Sequence, residues 1–234
     1  GGPSPNLRLI KALADSLPER PDGRGLAWLA GCYAAIYNTP STAALWFEWP
    51  LHDILSATPE DLTDWLEKHW EGLPVHSNRR RTCGVPRKLA ATMQALAKFA
   101  DGMTFERGDD FDRLWAQVNG VPNVGRYFGI KFAGTLRILG LTRAEQYDVR
   151  AKGAKNGRKT LGYLYPEHAM TAGDHHDNSK SSVELAEKLA VEAKWKCEGE
   201  YDLKTTWFEF AALLCEYNQA VKGKRYPGKT SDAD

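Results

Sequence analysis

The 234-residue sequence predicts an all-α fold. Apolar residues recur at three- and four-residue steps in several segments, the pattern of one face of a helix. One of the helical segments opens on Thr58 followed by Pro59 and acidic residues, another opens on a serine cap, and a third stops at Gly102. No stretch alternates convincingly with the period of two that a half-buried strand requires. At most a short hairpin is expected, in the glycine-rich region 153–175.

In chain order, "GGPSP" reads as an expression-tag scar with a disordered lead (1–5), and residues 6–102 as an N-terminal helical half. Within that half, "GRGLAWLAGCYAAIYN" is apolar almost all round, as a helix enclosed by others must be. "TPEDLTDWLEKHW" places Thr58 as an N-cap, Pro59 at the first helical position and acids in the first turn. "VPRKLAATMQALAKFADG" sets Leu89, Met93, Leu96 and Phe99 roughly on one side and ends at Gly102. Residues 103–234 form the second half, a helix-hairpin-helix and C-terminal helical part, either separate from the first or continuous with it. There, "VNGVPNVGRYFGIKFAGTLRILG" joins a helix ending near Val118 to another from about Val124 to Leu139. Lys152 to Ser181 is the most irregular interior stretch, and loops of that length are usually functional or disordered. "SSVELAEKLAVEAKW" is amphipathic behind a serine cap, "TTWFEFAALLCEYN" is apolar on nearly every side, and the basic tract "KGKRYPGKTSDAD" closes the chain.

The formal net charge is +1, so total charge gives no sign of a nucleic-acid partner. Its distribution is more informative. Basic residues gather in "HSNRRRTCGVPRK", "RAKGAKNGRKT" and the closing tract, and acidic ones in "TPEDLTDWLEKHWE", which allows a basic surface facing one way. Cys32, Cys83, Cys197 and Cys215 lie far apart without zinc-site spacing, so packed thiols in a reducing compartment are expected. Asp174, His175, His176 and Asp177 have a metal-binding composition, but adjacent histidines on a loop rarely reach one ion; no metal is expected. No apolar run approaches the length of a membrane helix, and no membrane partner is expected. "GAKNGRKT" has the wrong spacing for a phosphate-binding P-loop, and no apolar strand precedes it.

Several residues stand out as candidates for chemistry. Two helices linked by a tight turn of Gly and small residues resemble a helix-hairpin-helix, whose turn amides and following helix N-terminus can hold a DNA phosphate. Gly120 and Gly125 remove side chains that would block such an approach, and Asn123, Arg126 and Lys131 join them as DNA-binding candidates with Arg79, Arg80 and Arg81. An ordinary αα-hairpin is the alternative. Asp148 follows the hairpin helix at a place similar to that of the catalytic carboxylate in helix-hairpin-helix DNA glycosylases. Arg150, Lys152, Arg158 and Lys159 come close behind it, a group suited to neutralising phosphoryl oxygens. Glu209 lies between Phe208 and Phe210, so it either pairs with a cation or has a raised pKa suited to proton transfer. Trp28, Tyr33, Tyr37, Trp46, Trp49 and Tyr127 are either core or platforms for an extruded base.

Four pieces in order, "GLAWLAGCYAAIYNTPSTAALW", "GVPNVGRYFGIKFAGTL", "YDVRAKGAKNGRKTLGYLYP" and "WFEFAALLCEYNQAVKGKRYPGKTSD", carry a resemblance over residues 24–232. The chain resembles the phage-associated family of α-glutamyl/putrescinyl thymine pyrophosphorylases and amino acid:DNA transferases, relatives of the helical domain of hydroxymethyluracil DNA kinases. The most specific part is Glu209, the Leu214–Cys215 pair, and then Arg225, Tyr226, Gly228 and Asp232. Ala233 stands where a basic residue is expected, which puts the role of Asp232 in doubt, and the missing nucleotide-binding motif separates the chain from the kinase proper.

The resemblance implies a DNA-glycosylase-like helical fold acting on double-stranded DNA that carries a modified thymine, in the cytoplasm of an infected bacterial host. The implied reaction replaces the pyrophosphate of 5-(pyrophosphoryloxymethyl)-deoxyuridine with an amine. The donor is a co-substrate, an amino acid such as glycine, and no cofactor is required. The base would be flipped out; Arg150, Lys152, Arg158, Lys159, Arg225 and Tyr226 would hold pyrophosphate, and Asp148 or Glu209 would deprotonate the amine. A DNA glycosylase and a non-catalytic DNA-binding module are the rival readings.

Overall fold

The computed structural model describes residues 5–17, 20–75, 84–103, 111–144, 155–168, 179–202 and 207–223. Among them are eleven α-helices and no strand, as the all-α reading requires. The first helix begins at Pro5, inside the lead expected to be irregular. The hairpin expected within 153–175 gives way, over Lys155–Leu164, to a helix. No helix among the described residues is long and apolar enough to cross a membrane.

Packing divides the chain into two compact units, one spanning Pro5–Ala144 and the other beginning at Glu145, so the divide falls well beyond Gly102. The N-terminal unit holds α1 (Pro5–Ser16), α2 (Gly23–Ile36), α3 (Thr39–Glu48), α4 (Leu51–Ser56), α5 (Pro59–His69), α6 (Pro86–Gly102), α7 (Phe111–Asn119) and α8 (Arg126–Ile138). Gly102 ends α6 but not the unit, because α8 packs on α2 and extends the same core.

α2 lies at the centre. Its N-cap Asp22 accepts from the Gly25 amide at 2.8 Å, and every residue from Leu26 to Ile36 is buried beneath α3, α4, α6 and α8. An all-round apolar sequence is the consequence of having neighbours on every side. Trp28, fully buried, still satisfies its indole by donating to the Trp49 carbonyl at 2.9 Å. Tyr37 ends the helix in the left-handed region (φ +56°), and Asn38 at once caps α3 by accepting from the Ser41 amide at 3.0 Å.

α5 opens with the capping box that Thr58, Pro59 and Asp61 predict. Thr58 holds the Asp61 carboxyl below the usual carboxylate range through its hydroxyl first and its amide second. Leu89, Met93 and Leu96 on α6 are buried, and half-buried Phe99 meets Phe132 of α8 edge-on at 5.5 Å.

The C-terminal unit holds α9 (Lys155–Leu164), α10 (Lys180–Tyr201) and α11 (Trp207–Val221). Ser179 caps α10 through its hydroxyl. The apolar part of its core comprises Leu161, Tyr165, Ala186, Leu189, Ala190, Ala193, Phe210 and Leu214. Lys194 lies almost buried beside it, paired with Glu198 and set over the Trp207 ring at 5.1 Å.

Candidate functional site

A tight turn joins α7 to α8, a feature that a helix-hairpin-helix and an ordinary αα-hairpin share. Gly120 N–H donates to the carbonyls of Ala116 and Gln117 at 3.2 and 3.1 Å, closing α7. The Val121 and Val124 amides donate to Val118 and Val121, and both valine side chains turn into the core. Anchoring the turn by its valines leaves Gly120, Pro122, Asn123 and Gly125 exposed. Asn123 takes a left-handed conformation (φ +65°), which Asn tolerates better than most side chains.

Gly125 is the N-cap of α8 and supplies no side-chain acceptor to its first amides. Its φ is −74°, and a Cβ there would meet nothing within 4 Å. Neither backbone strain nor packing therefore demands glycine at this position. What glycine does provide is a helix N-terminus without a capping side chain of its own, where amide N–H groups and the helix dipole favour an anion.

The close approach of α7 and α8 depends on a residue that the sequence reading missed. A Cβ on Gly129 would lie 3.0 Å from Trp115 Cζ3 and 3.1 Å from Val118 Cγ1. The signal was a glycine in mid-helix, which lowers helix propensity unless a neighbour needs the space.

Lys131, two residues further along α8, is half-buried, and its Nζ lies 5.1 Å from the centroid of the Tyr37 ring. That cation–π contact ties α8 to the end of α2 and sets Lys131 apart from the exposed turn. Among the aromatic candidates, Trp28 and Tyr33 are fully buried core and present no face for a base. Trp46 and Phe47, in edge contact at 5.2 Å, line an apolar crevice of about 510 Å³ with Leu17, Pro21, Gly25, Pro50 and Leu51.

In the C-terminal unit, α9 carries two of the expected phosphate ligands in different settings. Lys159 is half-buried, whereas Arg158 is 2 % exposed and lies inside the helical core. Its Nη2 donates to Ser182 Oγ at 2.7 Å, and its Nε finds no acceptor among the described residues. Arg158, expected from the sequence as a pyrophosphate ligand, is thus enclosed by the fold. Around it, Thr160 Oγ1 donates to the Leu214 carbonyl, and Asn218 Nδ2 donates to Asn156 Oδ1 at 2.9 Å.

Asp148, Arg150, Lys152, Arg225, Tyr226, Arg79, Arg80 and Arg81 lie outside the described residues, as do Cys83 and the pair His175 and His176. Arg126 and Glu209 stand on α8 and α11, with their side chains likewise outside the description. Described side chains include no group of His, Cys, Asp and Glu able to hold a metal ion. Cys32 and Cys197 are free thiols, and burial pushes the Cys32 thiol well above its ordinary pKa, which leaves it unreactive. No protein-family model, curated protein or solved structure matches the chain.

Proposed function

We propose that the chain is a DNA-modifying transferase that replaces the pyrophosphate of 5-(pyrophosphoryloxymethyl)-deoxyuridine in DNA with the amine of an amino acid such as glycine. The observation that supports DNA contact is the α7–α8 hairpin, with its valines buried and Gly120, Asn123 and Gly125 exposed at an α8 N-terminus whose N-cap residue brings no side-chain acceptor. Such a turn suits a backbone phosphate, which positions a duplex without reading its sequence. The reaction itself rests on the four sequence pieces and the family they resemble.

In this reading the modified base leaves the stack, because its 5-substituent must reach an enclosed site. Cationic side chains draw off the departing pyrophosphate and leave an electrophilic exocyclic methylene on the pyrimidine. A carboxylate, Asp148 or Glu209, takes a proton from the ammonium of the donor so that its nitrogen can attack.

Mass analysis of nucleosides tests the proposal, using DNA that carries pyrophosphorylated hydroxymethyluracil, the protein, and a mixture of amino acids and polyamines. A new aminated thymidine with matching pyrophosphate release is the expected result. Loss of the modified base would turn the reading to a glycosylase, and unchanged nucleosides to a binding module. Asp148→Asn should abolish the product while DNA affinity stays within a few fold; retained turnover removes Asp148 from the reaction.

A further inference from the structure

A guanidinium cannot shed its charge to suit a buried setting, so burying it is expensive unless an anion accompanies it. Arg158 is 2 % exposed, and the described residues offer its guanidinium one neutral hydroxyl, Ser182 Oγ, and no carboxylate. Its Nε is buried and meets no acceptor among those residues. Ser182 is itself buried and is the third residue of α10, a 22-residue helix, so Arg158 points at that helix's N-terminus. Two features that favour negative charge, a buried guanidinium with an unused donor and the positive end of a long helix, where Ser179 takes up the Ser182 amide, therefore meet at one place.

We infer that Arg158 and the first turn of α10 form a binding site for a phosphate-class oxyanion. The anion it takes is the pyrophosphate leaving group, an identification that rests on the transferase reading, whereas anion binding rests on the geometry alone. Enclosure of the guanidinium excludes the backbone of a duplex, whose phosphates are carried on a rigid rod. A small anion needs only the first turn of α10 to open, and helix ends open at the lowest cost. Arg158 accepts pyrophosphate by its forked donors, and Ser182 holds the fork toward the helix end.

The test is calorimetric titration of the full chain with inorganic pyrophosphate at constant ionic strength, alongside titration with an unmodified duplex. Saturable pyrophosphate binding is expected, weakened about tenfold by Ser182→Ala through loss of one hydrogen bond to the charged group, and at least as much by Arg158→Lys. Duplex affinity should be the same in all three proteins. Absence of saturable binding, or a Ser182→Ala protein that binds as tightly as the parent, overturns the site; Ser182→Ala decides the matter even where Arg158→Lys fails to fold. A fall in duplex affinity that parallels the loss of pyrophosphate would assign the site to backbone phosphodiester and overturn the leaving-group assignment. Normal amination by Ser182→Ala despite lost pyrophosphate binding overturns the role and leaves the transferase standing. Pyrophosphate binding as expected without amination by the parent protein sinks the transferase and leaves the anion site standing.

Discussion

The two units differ in how far their buried polar side chains reach for partners. In the N-terminal unit Thr42, Thr92 and Thr135 are buried, but each hydroxyl donates to the carbonyl four residues back in its own helix, at 2.7, 2.9 and 2.7 Å. The helices then meet mostly through apolar surface, with Ser41, bonded to the Pro74 carbonyl, and the Trp28 indole, bonded to the Trp49 carbonyl, as exceptions. In the C-terminal unit Lys194 pairs within its own helix and Thr160 Oγ1 also meets the Asn156 carbonyl four residues back at 3.0 Å, but further contacts reach across: Arg158 to Ser182 on α10, Thr160 to the Leu214 carbonyl and Asn218 to Asn156 between α11 and α9. Locally satisfied hydroxyls leave packing free to be set by shape and volume. Inter-helix hydrogen bonds set the register of three helices and make each partner depend on the other.

That contrast can be broken by mutation. Trp28→Ala should have the largest effect, about 3–5 kcal/mol on unfolding of the N-terminal unit, since it empties the centre of a close-packed core. A loss under about 1 kcal/mol by denaturant titration would mean that the core around α2 is not packed to native density.

Volume-conserving changes sharpen the comparison. Asn218→Leu should cost about 1–3 kcal/mol by removing the donor to Asn156. Leu96→Met, in the apolar core, should cost less than about 1.5 kcal/mol. Equal losses at the two sites would erase the distinction between the units.

Gly129→Ala should then cost about 1 kcal/mol, the overpacking against Trp115 and Val118 being partly offset by better helix propensity. It should also weaken duplex binding a few fold in a salt-dependent titration, by spreading the α7–α8 hairpin. Unchanged DNA affinity in a folded Gly129→Ala protein would separate the hairpin from DNA.

The smallest effect belongs to the α5 cap. Thr58→Ala should cost about 1 kcal/mol. Because Asp61 is held below its ordinary pKa, its contribution is fully present above that ordinary value and is lost as pH falls through the lowered folded value. Acid titration should therefore fray α5 below about pH 4, and Thr58→Ala, which keeps the amide donor but loses the hydroxyl, should weaken that pH dependence.

Why some elements were readable and others not follows from what each buries. α5 and α6 announce themselves because their signals are local: a cap, a proline and an apolar stripe act within one helix. The hairpin was readable for a similar reason, since its glycines and valines settle the turn among themselves. α9 was read as irregular because its buried face is made of Gly157, Arg158, Thr160, Leu161 and Gly162, and only one of these is a large apolar residue. Its burial depends on hydrogen-bonding partners far along the chain, at Ser182, Leu214 and Asn218.

Alone, the amino-acid sequence determined the all-α class, the caps of α3, α5 and α10, the ends of α6 and the hairpin turn, because periodicity and capping are settled by residues a few positions apart. Tertiary packing decided the rest: that α8 joins α2 in the first unit, that Lys131 lies over Tyr37, and that Arg158 is enclosed rather than displayed. Each of these joins residues distant in sequence, and whether a charged side chain faces solvent or a helix interior depends on which neighbours the fold brings to it.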